Sequence, residues 1–230
     1  MCTNYAPVQG RLLLEIFGVE PPREVYKDET WPDYIAPILR ARERGERDCV
    51  TASFGMVPRH QIPPGAKRYD TTNARAETVG QRPTFSGPWK AGQLCLVPMT
   101  AFYEPNYEAG PKSVRYKIWL PDEPAFAVAG LWRAWPNGEY SFTMLTINAD
   151  RHPVMSRMHA PGKEKRSIVI VPKVAWDDWL TCRDPEVART FLSLPPAAGM
   201  RCEPAPIART VKVGAREHEE DGDPQGTLLF

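Results

Sequence analysis

The chain begins MCTNYAPV, so Cys2 becomes the first residue if Met1 is removed. A terminal cysteine carries an α-amine and a thiol on one short carbon frame, and that pair captures aldehydes. The amine, with a reference pKa of about 7.7–8.0, is partly neutral at pH 7 and attacks a carbonyl carbon. Loss of water leaves an imine. The neighbouring thiol then closes a five-membered thiazolidine ring that hydrolyses far more slowly than an open Schiff base. By position alone, Cys2 reads first as a small buried thiol in a first strand.

Three further stretches hold groups that suit such chemistry. Glu104 ends the apolar run AFYEP, where partial desolvation would let a carboxyl keep a proton near neutral pH and act as acid and base. The same residue also fits the start of a turn before Pro105 and Asn106. His159, in MSRMHAPGKEKR, is flanked by bases and suits a proton shuttle or an oxyanion partner. His152 is a rival for that role, and spacing does not choose between them. In TTNARAET, Asn73 offers an amide for a sugar or base edge, Arg75 a fork for phosphate, and Glu77 an acid. A capped helical turn would use the same residues.

The elements that must position these groups are short. The 230 residues include 25 prolines, which favour many small elements joined by turns, while 42% hydrophobic content with seven Trp and eight Phe can fill one core. The segment GRLLLEIFGVE reads as a short helix or strand, WPDYIAPILRA as extended, Arg40 to Asp48 as a charged loop, and CVTASFGMVP as a strand. NARAETV suggests one or two helical turns after a loop. LCLVPMTAFYEP, SVRYKIWL, AFAVAGLWRAW and EYSFTMLTIN have the spacing of an antiparallel meander, with SIVIVP as a further strand. VAWDDWL and DPEVARTFLSL read as helices with acidic starts. The stretch 217–230 is expected to be a mobile, acidic tail.

Five cysteines without a C-x-x-C pair make neither a disulfide framework nor a zinc site and point to a reducing compartment. No run is long enough to span a membrane and the start lacks signal-peptide character, so a cytoplasmic protein is expected. The net charge of +1 conceals basic stretches: Arg59, Lys67, Arg68, Arg75, Arg82 and Lys90 stand against two acids over residues 51–100, and five bases against one acid over 151–166. Such stretches can form a face for a polyanion or a solvated surface.

Taken in order, several pieces resemble the SRAP family, the SOS-response-associated peptidase proteins that crosslink to abasic sites in DNA. They are MC at the start, YIAP (Tyr34 to Pro37), FGMVP (Phe54 to Pro58), NARAET (Asn73 to Thr78), CLVPMTAFYEP (Cys95 to Pro105), AGLW (Ala129 to Trp132) and RMH with KRSIVIV. The resemblance implies an α+β fold, one domain over residues 1–230, built on a mainly antiparallel, barrel-like sheet with flanking short helices. It implies loss of Met1, with an associated self-processing peptidase activity, and a thiazolidine between Cys2 and the ring-opened aldehyde of an abasic sugar. Glu104 would assist Met1 removal and sugar ring opening, Asn73 would orient Cys2 and the lesion, and His159 would support imine formation and its reversal. Arg75 would hold a phosphate, and Pro37 and Phe54 would shape or stack on the DNA. The implied partner is single-stranded DNA with abasic sites, bound by a monomer that is nucleoid-associated on DNA and uses no metal and no cofactor.

The chain departs from the family pattern in three places. Thr3 and Asn4 replace a glycine and a phosphate-binding arginine, Phe54 replaces a tryptophan, and APGKEK separates His159 from Arg166. Two other functions use the same residues: an amide hydrolase with an N-terminal Cys nucleophile and Glu104 or His159 as base, or a non-catalytic single-stranded DNA binding module.

Overall fold

The computed structural model describes residues 2–42 and 45–207. Strand β1 (Asn4–Pro7) leads into helix α1 (Arg11–Phe17), which Gly18 ends in the left-handed conformation at φ 68°. Glycine adopts that conformation without a Cβ clash. β2 (Ile35–Ala41) and β3 (Arg47–Phe54) form an antiparallel hairpin running from the Ile35–Ser53 pair to the Ala41–Arg47 pair. Arg40, Ala41, Arg47 and Asp48, expected in a charged loop at 40–48, are therefore the paired ends of two strands.

β4 (Asn73–Arg75) replaces the helical turns expected in NARAETV. It pairs in parallel with a later strand, and three residues held in a ladder and buried at Asn73 and Ala74 outweigh local helical preference. α2 (Pro83–Lys90) was not foreseen, because its two prolines and glycine read as loop; Pro83 starts the helix, where its missing N–H has no cost. Then come β5 (Leu94–Asn106), β6 (Val114–Trp119), β7 (Phe126–Ala134) and β8 (Tyr140–Asn148). SIVIVP splits into β9 (Arg166–Ile168), on β8, and β10 (Ile170–Val171), on β7. Helices α3 (Trp176–Thr181) and α4 (Pro185–Thr190) form as expected, and β11 (Arg201–Pro204) adds to β6.

The long strand β5 organises the sheet. Its first half pairs with β7 and its second half with β6, so β6 and β7 are not neighbours and the four strands are not a simple meander. The pairings β5–β7, β7–β8, β8–β3, β3–β2 and β2–β5 return to their start and close a ring, loosely, since Leu39–Leu96 is the registered pair between β2 and β5. Most pairs are antiparallel, but β3 and β4 both run parallel to β8. The fold is mixed α+β, mostly sheet with a few short helices, ring-like as expected.

Both faces of the ring are covered, which explains apolar runs without alternation. On β5, Cys95, Val97 and Met99 join one cluster with Ile38, Phe102, Phe142 and Met144. Leu94 and Leu96 point to the other face, where they pack with α1 and α3 through Leu13, Phe17, Trp176 and Trp179. Trp179 also donates its indole N–H to the Cys95 carbonyl at 2.9 Å.

Where β7 crosses β5, a Cβ on Gly130 would lie 2.8 Å from the Thr143 carbonyl oxygen and 2.9 Å from the Cys95 sulfur. Gly130→Ala should therefore destabilise the protein by about 1–3 kcal/mol, the usual cost of overpacking. An unchanged urea midpoint would show that the ring closes less tightly here.

Candidate active site

The first strand brings the start of the chain to the end of β5. β1 pairs antiparallel with β5, Asn4 opposite Tyr103 and Tyr5 opposite Phe102, so Cys2 runs on beside Glu104. Cys2 is fully buried, and its S–H points to the Asn4 carbonyl at 3.5 Å. Burial first, then the neighbouring Glu104, raises this thiol well above the ordinary range, so it rests as S–H and not as thiolate.

Asn73 fixes the backbone of Cys2. Its amide nitrogen donates to the Cys2 carbonyl at 2.7 Å and to the Thr72 hydroxyl at 2.8 Å, and that hydroxyl in turn donates to Asp70 at 2.6 Å. Both partners of the nitrogen are acceptors, which settles the orientation of the amide. The short β4 ladder on β8 supplies the rigid base for this reach.

Glu104 and His159 form a buried pair, Oε2 to Nδ1, at 3.3 Å. His159 sits in a loop with φ 63°, its N–H donating to the Pro105 carbonyl at 2.7 Å, while its ring Nε2 lies 3.1 Å from the Arg166 carbonyl. A carbonyl only accepts, so Nε2 carries a proton and, in the neutral ring, Nδ1 is the acceptor facing Glu104. Burial pushes the Glu104 carboxyl up to about 7 and the His159 imidazole down to about 4. At neutral pH the imidazole is therefore neutral, while the Glu104 carboxyl is divided between acid and carboxylate, so it can give or take a proton next to Cys2. His152 serves elsewhere: its Nδ1 accepts the N–H groups of Val154 and Met155, and its Nε2 meets the Pro195 carbonyl at 2.9 Å.

Phe54 has no exposed surface. It stacks on Phe142 with centroids 5.1 Å apart and meets Tyr5 edge-on at 5.5 Å, so in this structure it supports β1 from inside the ring and offers no face for a base. Pro37 is likewise buried, in the middle of β2 opposite Thr51. Both expected DNA contacts are therefore interior residues, because β2 and β3 turn these positions inward. Arg75 is half-exposed and paired with Glu164 at 2.7 Å.

Two networks escaped the sequence. Arg166, 3% exposed, is clasped by both oxygens of Glu77, by Glu164 and by the Thr146 carbonyl, tying the NARAET segment to the loop that carries His159. Asn4 accepts two hydrogen bonds from Arg115, at 3.0 and 2.7 Å, while Arg115 also pairs with Glu29 and lies over the Tyr103 ring. Asn4 thus anchors β1, a role that needed contacts more than 100 residues away along the chain to be visible. Among the described residues no cluster of three His, Cys, Asp or Glu is placed to hold a metal ion, and no helix is long and apolar enough to cross a membrane.

The family described as SOS response associated peptidase (SRAP) matches residues 1–213. The chain belongs to the SRAP family. It is 30% identical over 139 residues to abasic site processing protein YoqW of Bacillus subtilis, covering 57% of this chain and 59% of that protein. It is 32% identical over 143 residues to abasic site processing protein YoaM of the same organism, covering 58% and 61%. Abasic site processing protein HMCES of Gallus gallus is 25% identical over 150 residues, covering 51% and 44%. The matched region thus spans less than two thirds of each of these relatives. A crystal structure of a protein from Bordetella bronchiseptica superposes with a TM-score of 0.79 at 33% identity, over 90% of this chain and 100% of that one. One from Bacteroides thetaiotaomicron shares the fold at 19% identity, TM-score 0.66, over 87% and 90%.

The shifted SRAP pair sets opposing pH dependences of stability. Above the usual 4.5, folded Glu104 keeps a proton that the unfolded chain releases, so its contribution is lost as pH rises through about 7. Between about 4 and 6.5 the unfolded chain takes up a proton that folded His159 refuses, so its contribution grows with pH. Glu104→Gln should therefore give a Tm that climbs across this window, and His159→Gln one that falls towards pH 7. Parallel Tm profiles for wild type and both variants would contradict the burial of the pair.

Proposed function

We propose that this chain captures abasic sites in single-stranded DNA as a covalent DNA–protein crosslink through Cys2, after Met1 has been removed. The observation that carries this reading is the clamping of Cys2 by Asn73 beside the buried Glu104–His159 pair. Membership of the SRAP family and relatives named abasic site processing proteins support it.

The chemistry follows from the protonation states. The α-amine of Cys2 attacks the aldehyde of the ring-opened sugar, and the protonated Glu104 donates to the departing hydroxyl as the carbinolamine loses water. The thiol then adds to the imine carbon, giving up its proton by way of His159 to the ring nitrogen. The product is a thiazolidine plus one water. Removal of Met1 is hydrolysis of the Met1–Cys2 amide, for which Glu104 is the acid and base at hand. Arg75 holds a phosphate of the bound strand once that phosphate has replaced Glu164. Single-stranded DNA suits the site because an unpaired sugar reaches a buried residue without unstacking a duplex. The protein acts as a monomer in the cytoplasm, on the nucleoid when bound.

An amide hydrolase with Cys2 as nucleophile is less well supported, since such enzymes use a thiolate and burial keeps this thiol protonated. A purely non-catalytic binding module leaves the buried acid and base without a use.

Intact mass of the protein before and after mixing with an abasic single-stranded oligonucleotide tests the proposal. The chain should begin at Cys2 and gain the mass of the oligonucleotide less one water, while Cys2→Ala should gain nothing. A chain that begins at Cys2 and forms no adduct would overturn the reading. Arg75→Ala should weaken single-strand binding and lower the salt slope by about 0.7; an unchanged slope would remove Arg75 from the phosphate contact.

A further inference from the structure

The six residues between His159 and Arg166 contain a contact that none of the preceding chemistry uses. The Lys165 ammonium donates to three successive backbone carbonyls, those of Met158 at 2.6 Å, His159 at 2.9 Å and Ala160 at 3.2 Å. Three carbonyl dipoles aimed at one point repel one another, and a compact cation with three donors is the side chain that relieves this. The middle carbonyl belongs to His159 itself, whose left-handed backbone at φ 63° is about 1–2 kcal/mol unfavourable for an L residue.

Lys165 is itself held at both ends of its peptide. Its N–H donates to Asp150 at 2.8 Å and its carbonyl accepts from the Ala149 N–H at 2.8 Å. The opposite side of the His159 loop is tied to β5, by the His159 N–H to Pro105 and by Asn106 to the Arg157 carbonyl at 3.1 Å. The His159 backbone is thus gripped between β5 and Lys165, and its ring reaches the carbonyl of the very next residue, Arg166.

We propose that Lys165 is the positioning residue for His159, its ammonium holding the loop in the one backbone conformation that presents Nδ1 to Glu104. Its consequence for DNA capture rests on the crosslinking function proposed above. The groups around the imidazole are Glu104 from β5, Lys165 from its own loop and the Arg166 carbonyl from β9, and Glu104 also acts on the Cys2 thiol.

Lys165→Met and Lys165→Arg test this with two independent measurements. In the first, NMR of the imidazole nitrogens follows His159 through a pH titration without DNA. Wild type should show Nε2 protonated and a low midpoint, Lys165→Met a midpoint raised by at least one pH unit as the ring gains solvent, and Lys165→Arg an intermediate value. In the second, the rate of adduct formation with abasic single-stranded DNA should fall at least tenfold in Lys165→Met and less in Lys165→Arg. Affinity for an intact strand should stay within twofold with an unchanged salt slope. An unaltered His159 titration in folded Lys165→Met overturns the proposal. So does a lower salt slope with a normal adduct rate, which would make Lys165 a phosphate contact. If wild type forms no adduct the crosslinking function fails, and the titration still decides the positioning role.

Discussion

A carboxyl group buried where β5 leaves the ring is the constraint around which the site is built. Glu104 is 2% exposed, and a carboxyl in that position is held neutral or paired because the desolvation of its charge is too costly. The fold meets this by bringing His159 to 3.3 Å on an unusual backbone conformation, and by laying β1 along β5 so that Cys2 shares the same enclosure. Burial then shifts all three groups together: it keeps the thiol protonated and the imidazole neutral, and it brings the carboxyl close to neutrality, where it exchanges its proton readily. A site prepared this way has a proton to give and a lone pair to receive one, without a charged nucleophile.

Much of the surrounding structure serves to place these groups. Phe54, Phe142 and Tyr5 form a packed stack inside the ring beneath β1. Asn4 holds the same strand from its polar side through Arg115, which Glu29 and the face of Tyr103 keep in place. Without the Asn4 side chain β1 would lose this anchor.

The basic stretches are less available than their sequence implies. Arg68 pairs with Asp33, Arg157 with Glu108, and Arg75 and Arg166 share Glu164. The ion pairs at the surface contribute little to stability, but the Glu77–Arg166–Glu164–Arg75 chain is centred on the buried Arg166 guanidinium and links the segment that clamps Cys2 to the loop that carries His159. A hollow of about 360 Å³ is lined by Pro32, Asp33, Gly55, Arg68, Asp70 and Thr72, the last of these the hydroxyl partner of Asn73. A larger one, about 790 Å³, lies over the outer face of β3 and is lined by none of Cys2, Asn73, Glu104 or His159. Size alone would have pointed away from the chemistry.

Residue types and local patterning determined the reactive group at Cys2, the long apolar strand that carries Glu104, and the acid-started helices α3 and α4, while the segment of α1 was legible only as a short helix or strand. These are local properties, carried by side-chain chemistry and by apolar runs bounded by turn residues. Asn73–Arg75 became a strand because a parallel ladder on β8 outweighed local helical preference, and α2 formed with Pro83 in its first turn, where a helix tolerates proline, and with Pro88 inside it. Only the tertiary structure chose His159 over His152 as the neighbour of Glu104, turned Phe54 and Pro37 inward, and gave Asn4 and Lys165 their partners. Each of those outcomes depends on groups brought together from distant parts of the chain, and on burial, which sets protonation only after the ring has closed.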